Sequence, residues 1–182
     1  MSDYERIFST FREHGVRLLE IGVAEGGSCE LWSDFFGHPD TRVIGLDLVL
    51  PELPANHQAN SRITLLKCDQ NDSRSLRTIA TQYGPFDIVI DDGSHRFAQT
   101  LNCFRQLFDF VRDGGYYVIE DWGVGYLPDL QHRFGGRFKK TMVTLITDIM
   151  RSIPKARISG YEVVLDTNKS LAFFRRGAPW DK

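Results

Sequence analysis

No apolar run in this chain is long enough to cross a bilayer, and the opening MSDYERIF is too polar for the core of a secretory signal. A dominant charge is missing too. The 22 basic and 24 acidic residues leave a formal net charge of −2, so no general basic field draws in nucleic acid or an anionic surface. Cysteine is scarce. Cys29, Cys68 and Cys103 are odd in number and lie in or beside apolar segments, which suits reduced core thiols of a cytoplasmic protein better than a disulfide framework. Internal repeats and low-complexity tails are lacking as well, and 182 residues suffice for one domain with a full core. The expectation is one cytoplasmic domain over residues 1–182, with neither a membrane nor nucleic acid as partner.

What the chain does have is alternation. SDYERIFSTFREHG places Tyr4, Ile7, Phe8 and Phe11 at helical spacing, which predicts an N-terminal helix within residues 1–15 that Gly15 ends. VRLLEIG reads as a buried strand, and GGSCELWSDFFG as a helix with Leu31, Trp32, Phe35 and Phe36 on one face. TRVIGLDL is a second strand, and the Pro-broken VLPELPANHQANS a loop. RITLLKCD, FDIVIDD and GGYYVIED are three more strands, separated by NDSRSLRTIATQYG and by a helix from about Ala98 to Val111. A helix from about Phe138 to Ile153 follows, then two strand-like runs around DTNKS, a plausible hairpin. The fold class is therefore α/β: a Rossmann-like, doubly wound, mostly parallel seven-stranded sheet with helices on both faces and an antiparallel C-terminal hairpin.

In such sheets the ligand site lies beyond the carboxyl ends of the strands. Polar groups gather there in this chain: Glu20 and Gly22, Asp47, Asp69, then Asp91, Asp92 and His95, then Glu120 and Asp121. LLEIGVAEGGS sets Gly22, Gly26 and Gly27 between strand and helix, where glycine permits a tight turn and close approach of a ligand to the backbone and to the helix start at Ser28. Asp47 ends the next strand, the usual place for an acceptor of ribose hydroxyls.

Ala24 stands where the dinucleotide fingerprint wants its second glycine, and the loop holds no basic residue for a pyrophosphate. Glu20 and Glu25 make it acidic, which favours a cationic or neutral ligand. S-adenosylmethionine fits: it carries adenosine for Asp47, an amino group for the acidic loop, and no phosphate. This arrangement resembles class I methyltransferases, a likeness that puts Asp69 or Gln70 of KCDQND near the adenine. Asn71 or Asp72 in the same stretch can cap the following helix.

FDIVIDDGSH ends a strand on two carboxylates and an imidazole. If the fourth and fifth strands are neighbours, about 4.8 Å apart, Asp91 and Asp92 come close to Glu120 and Asp121. Crowded carboxylates repel unless a cation lies among them. An all-oxygen set selects a hard ion, Mg²⁺ first, with Mn²⁺ or Ca²⁺ as substitutes. Successive residues of an extended chain point oppositely, so one of Asp91 and Asp92 would face the cofactor and the other the metal. His95 suits a general base near neutral pH, while Ser94 suits the N-cap of the next helix, with His95 in its first turn.

YGPFDIVIDDGSH followed by LFDFVRDGGYYVIEDW closely resembles the metal-dependent sugar O-methyltransferases of macrolide biosynthesis, the mycinamicin and demethylmacrocin type, over roughly Arg17 to Tyr126. The resemblance implies Asp92, Glu120 and Asp121 as Mg²⁺ ligands, His95 as catalytic base, Asp91 on the cofactor side, and a sugar or glycoside hydroxyl as methyl acceptor. The macrolide enzymes carry a further N-terminal region with no counterpart among these residues, and the match fades after Tyr126. WGVGYLPDLQHRFGGR, residues 122–137, reads as an acceptor loop in which Trp122 and Tyr126 can stack on a sugar, with Arg133, Arg137 and Lys139 read rather as solvated. An exposed Phe173 or Phe174 on the final hairpin would offer a homodimer contact. Three other readings stand beside this one: a catechol-type O-methyltransferase, a nicotinamide-dependent oxidoreductase, and a non-catalytic S-adenosylmethionine binder.

Overall fold

A computed structural model of the chain describes residues 3–51, 60–123, 141–152, 161–166 and 170–177. Most of the loop expected over VLPELPANHQANS, and the expected acceptor loop beyond Gly123, lie outside the described residues. The elements in order are α1 (Asp3–Phe8), β1 (Arg17–Ile21), α2 (Gly27–Phe35), β2 (Arg42–Asp47), β3 (Ile63–Lys67) and α3 (Ser73–Tyr83). Then follow β4 (Phe86–Asp91), α4 (Phe97–Leu107), β5 (Val111–Ile119), α5 (Met142–Ser152), β6 (Tyr161–Asp166) and β7 (Leu171–Arg176).

The first helix is shorter than its pattern predicts. After Phe8 it tightens into a 3-10 turn, Ser9–Glu13, whose three-residue period keeps Phe11 on the face of Phe8. The fourth likewise tightens after Leu107, because Val111 already opens β5 opposite Phe86. Asp72 caps α3, its carboxylate accepting from the backbone N–H of Arg74 and Ser75 at 3.1 Å each.

The sheet has seven strands in the order β3-β2-β1-β4-β5-β7-β6. β1 to β5 pair in parallel, and β7 runs antiparallel between β5 and β6. The chain winds outward from β1 to β3 and then crosses back to β4, so the order reverses between β1 and β4. That switch point is where an open α/β sheet leaves a crevice for ligand.

Strand alternation sends side chains to two separate apolar layers. Leu18, Ile88, Ile90, Val118 and Phe173 pack with Phe8, Trp32 and Phe36 under α1 and α2. Leu19, Ile21, Val89, Tyr117, Ile119 and Phe174 pack with residues of α3, α4 and α5. This alternation corrects the expected dimer contact: Phe173 and Phe174 are both fully buried, one in each layer, because β7 is an inner strand covered on both faces. The helical face of α2 is corrected as well. Leu31 is 58% exposed, and the buried stripe is Cys29, Trp32, Ser33 and Phe36. Small Cys29 and Ser33 let α2 lie close to the sheet, which turns Leu31 outward.

Candidate active site

The carboxyl ends of β1, β2, β3, β4 and β5 open on a cleft of about 540 Å³. Among its lining residues are Gly22 and Ala24, Asp47, Asp69 and Gln70, and Asp92, Ser94, His95 and Asp121. A larger groove of about 740 Å³ lies over α3 and Gln106, and the described residues that line it are Ser, Thr, Gln and Arg, without a carboxylate, imidazole or thiol. The cleft is the site with chemistry.

Its floor is pinned by backbone contacts between distant segments. The Gly22 N–H donates to the Leu46 carbonyl at 2.8 Å, and the Asp92 N–H to the Ile21 carbonyl at 2.9 Å. Gly22 has a φ of +89°, and a Cβ there would stand 2.3 Å from the Asp92 carbonyl oxygen. The glycine turn is thus packed directly against the acidic loop. Asp47 Oδ2 accepts from the N–H groups of Val23 and Ala24, 3.0 Å each, while its Oδ1 accepts from Val49. Oδ2 uses both of its lone pairs in this pinning, while Oδ1 keeps one for a ribose hydroxyl.

Glu20, Gly26 and Ser28 do not line the cleft. Glu20 points under α2, where its carboxylate accepts from Ser28 Oγ (3.0 Å), Cys29 Sγ (3.2 Å) and Trp32 Nε1 (3.4 Å). Burial pushes its pKa up, against those three donors. Gly26, with φ +83°, is the N-cap of α2. These residues anchor the helix behind the glycine turn.

The two adjacent aspartates part company as strand geometry requires, but Asp91 goes elsewhere than expected. It is 2% exposed and sits in the α3–α4 layer, where it accepts from Tyr117 Oη and Gln70 Nε2 at 3.0 Å each. Burial holds its carboxyl up at about 7. Gln70 then uses its other end: Oε1 accepts from the Ser94 N–H at 2.9 Å. One amide therefore ties the turn after β3 to both sides of the DDGSH turn, and a Cβ at Gly93 would lie 2.6 Å from that amide and displace it. Asp69 accepts from the Asn71 N–H in a tight turn at the cleft wall.

Asp92 faces the opening. One donor atom each from Asp92, His95 and Asp121 lie within 4.8 Å of one another. Burial, then the charges of Glu120 and Asp121, push the Asp92 carboxyl up to about 8. His95 bonds to the backbone of Glu120, and burial lowers its pKa, which favours the neutral imidazole a base needs. The neighbouring Glu120 accepts a hydrogen bond from Tyr4 Oη on its carboxylate. Ser94 is not the expected helix cap. Arg96 takes the N-cap position without a side-chain bond, and His95 precedes the helix with φ +52°. The described non-glycine residues with positive φ are Ala24, His95, Asp121 and Ser170, and the first three line this cleft. Such strain persists where packing over-determines it, and it collects at functional sites. Trp122, expected to stack on a sugar, packs on the α3–α5 layer instead; Tyr126, Arg133, Arg137 and Lys139 lie outside the described residues.

The crowding has a measurable consequence. Asp91, Asp92, Glu20 and Glu120 all have raised pKa values, so the fold holds more protons than the unfolded chain above the ordinary carboxylate range. Stability then falls as the pH rises from about 4 towards about 8. His95, lowered from 6.5, acts in the opposite sense and is outweighed. In chelator the thermal midpoint is expected to drop between about pH 5 and pH 8, and Mg²⁺ is expected to restore it at the upper end.

A family model described as a methyltransferase domain matches residues 19–122, from β1 through the last of the acidic cluster. The chain belongs to this methyltransferase family. Its relatives include the mycinamicin VI 2''-O-methyltransferase of Micromonospora griseorubida, 44% identical over 141 residues, covering 74% of this chain and 33% of the relative. The demethylmacrocin O-methyltransferase of Streptomyces fradiae is 36% identical, covering 96% of this chain and 47% of its own length. Among solved structures, the MycE methyltransferase of mycinamycin biosynthesis, in complex with Mg and SAH, superposes with a TM-score of 0.77 at 32% identity, covering 98% of this chain and 50% of that one. The methyltransferase chain described here spans about a third to a half of the length of these curated relatives. The family match displaces the nicotinamide reading.

Proposed function

We propose that this domain transfers the methyl group of S-adenosylmethionine to a hydroxyl of a sugar or glycoside, with Mg²⁺ at Asp92, Glu120 and Asp121 and with His95 as base. The observation that carries the reading is the Asp92–His95–Asp121 cluster opening into the same cleft as Gly22, Asp47 and Gln70. Acid, base and nucleoside-binding features share one cavity of a size suited to such a cofactor. The named activities of the macrolide and tetracenomycin sugar O-methyltransferases support the acceptor class.

The donor set fits a hard dication: two carboxylates lie beside one imidazole, and burial, then the charges of Glu120 and Asp121, hold the Asp92 carboxyl up at about 8, a crowding that a dication would relieve. Mn²⁺ suits the same set. Bound Mg²⁺ would supply the charge and Lewis acidity that make a vicinal hydroxyl easier to ionise. Asp47 would receive the ribose hydroxyls. Asp69 and the Gln70 wall would meet the adenine. His95, held by the Glu120 backbone, would accept the acceptor hydroxyl's proton on its other ring nitrogen as that oxygen attacks the methyl carbon.

Calorimetric titration of S-adenosylmethionine and of Mg²⁺ into wild type and Asp92→Ala tests this. Wild type is expected to bind both, and Asp92→Ala is expected to keep the cofactor while Mg²⁺ affinity falls at least tenfold. Labelled-methyl transfer to deoxyhexosyl macrolides, with catechol as rival acceptor, then reads the substrate class. Transfer to catechol alone, or no cofactor binding, would overturn the proposal.

A further inference from the structure

We propose that Tyr4, brought from the first helix, is a positioning residue for Glu120 and thereby sets the affinity of the site for its divalent cation. The inference rests on reading Asp92, Glu120 and Asp121 as the cation's carboxylates. Tyr4 Oη donates to Glu120 Oε1 across 116 positions of sequence. Its ring is held from three sides: edge-on to Trp32 at 5.0 Å, edge-on to Phe173 at 5.6 Å, and tilted on Phe8 at 5.4 Å. The hydroxyl's place is therefore fixed by aromatic packing, and the carboxylate must come to it. One oxygen of Glu120 is thereby engaged, which leaves the other for a cation, and the Glu120 charge already acts on Asp92 together with that of Asp121.

The chemistry of the donor matters as much as its place. Among the described residues, the charges that act on Asp92 are those of Glu120, Asp121, Glu20 and Asp91. A Lys or Arg beside Glu120 would occupy the position a dication needs and compete with it. A phenol satisfies one carboxylate lone pair while adding no charge. A phenol is a neutral donor at ordinary pH. Hydrogen bonds of this kind orient metal-binding carboxylates, and their loss typically lowers metal affinity by about 10- to 100-fold.

Tyr4→Phe keeps the ring and removes only the hydroxyl. Phe11→Leu is the control, since Phe11 packs on Phe8 and Tyr116 at the same surface without touching a carboxylate. Calorimetry of Mg²⁺ binding is expected to give a dissociation constant about tenfold weaker for Tyr4→Phe and unchanged for Phe11→Leu. Affinity for S-adenosylmethionine in Mg²⁺-free buffer should stay within about twofold of wild type in both. Wild-type affinity in Tyr4→Phe, or an equal loss in both variants, would overturn the positioning role while leaving the metal site standing. A wild-type protein that takes up no Mg²⁺ would instead overturn the metal reading and this inference with it.

Discussion

His95→Ala is expected to lower methyl transfer by roughly 10²-fold or more while S-adenosylmethionine still binds. The imidazole lies within 4.8 Å of both Asp92 and Asp121, 4.0 Å from Asp92 Oδ1, in the cleft but outside the glycine turn and Asp47 that would hold the nucleoside. Its removal takes away the proton acceptor and leaves the nucleoside wall intact. Burial, the largest influence on His95, lowers its pKa, so the acid limb of the wild-type pH–rate profile is expected below the ordinary imidazole value of 6.5. Single-turnover transfer measured across pH checks both points. A variant with full turnover, or one that loses the cofactor as well, would remove His95 from the role of base.

Gly22→Ala should be the most damaging single methyl group in the nucleoside half of the site. Glycine tolerates the φ of +89°, which costs an L-residue roughly 1 kcal/mol or more. The new Cβ would also stand 2.3 Å from the Asp92 carbonyl oxygen and 2.6 Å from Gly93 Cα. Both obstacles are backbone, so neither can swing aside. Overpacking of that kind costs about 1–3 kcal/mol. A total loss near 3 kcal/mol, or a thermal midpoint lower by roughly 10 °C, is expected for a domain of this size. Because the obstacle is the backbone of Asp92, cofactor and Mg²⁺ affinity should fall together in whatever fraction still folds. Gly27→Ala is the internal contrast: no atom lies within 4 Å of its Cβ position, and alanine is the better helix former, so thermal melting should show no loss. Equal effects of the two substitutions would refute the packing account of Gly22.

The family match extends the reach of these expectations to the core only. The curated relatives are two to three times longer than the stretch they share with this chain, so parts of those proteins have no counterpart among these residues. Residues 124–140, where acceptor contacts are expected, lie outside the described structure. The Mg²⁺ and S-adenosylmethionine predictions concern β1 to β5, and the choice of sugar is a separate question for the acceptor screen.

Much of this protein is legible along the chain because the relevant signals are local. Apolar runs such as RLLEI and FDIVID, bounded by glycine or acid, mark strands, and the amphipathic SRSLRTIATQY behind Asp72 marks a helix with its cap. Alternation of strand and helix then dictates a parallel sheet, and with it the edge on which Asp47, Asp69, Asp92 and Asp121 collect. The acidic glycine turn and the paired carboxylates follow from that order without any coordinate.

Tertiary packing decided what local pattern leaves open. Period-two alternation says that Asp91 and Asp92 diverge, but only the layer of Tyr117 and Gln70 on one side shows that Asp91 is the buried partner. Gln70, expected at the adenine, spends both ends of its amide holding Asp91 and the Ser94 backbone, a role that joins the turn after β3 to the end of β4 although β2 and β1 separate the two strands in the sheet. Leu31 faces solvent because Cys29 and Ser33 are small enough to seat α2 on the sheet, and Phe173 and Phe174 are both core because β7 enters between β5 and β6. Tyr4 reaches Glu120 only because α1 folds back over the sheet. The sequence by itself determined the elements and the strand ends that carry the acids, since periodicity, caps and turns act between near neighbours. Which side chains meet is decided between segments far apart in the chain, where close packing of particular volumes leaves each group a single place to go.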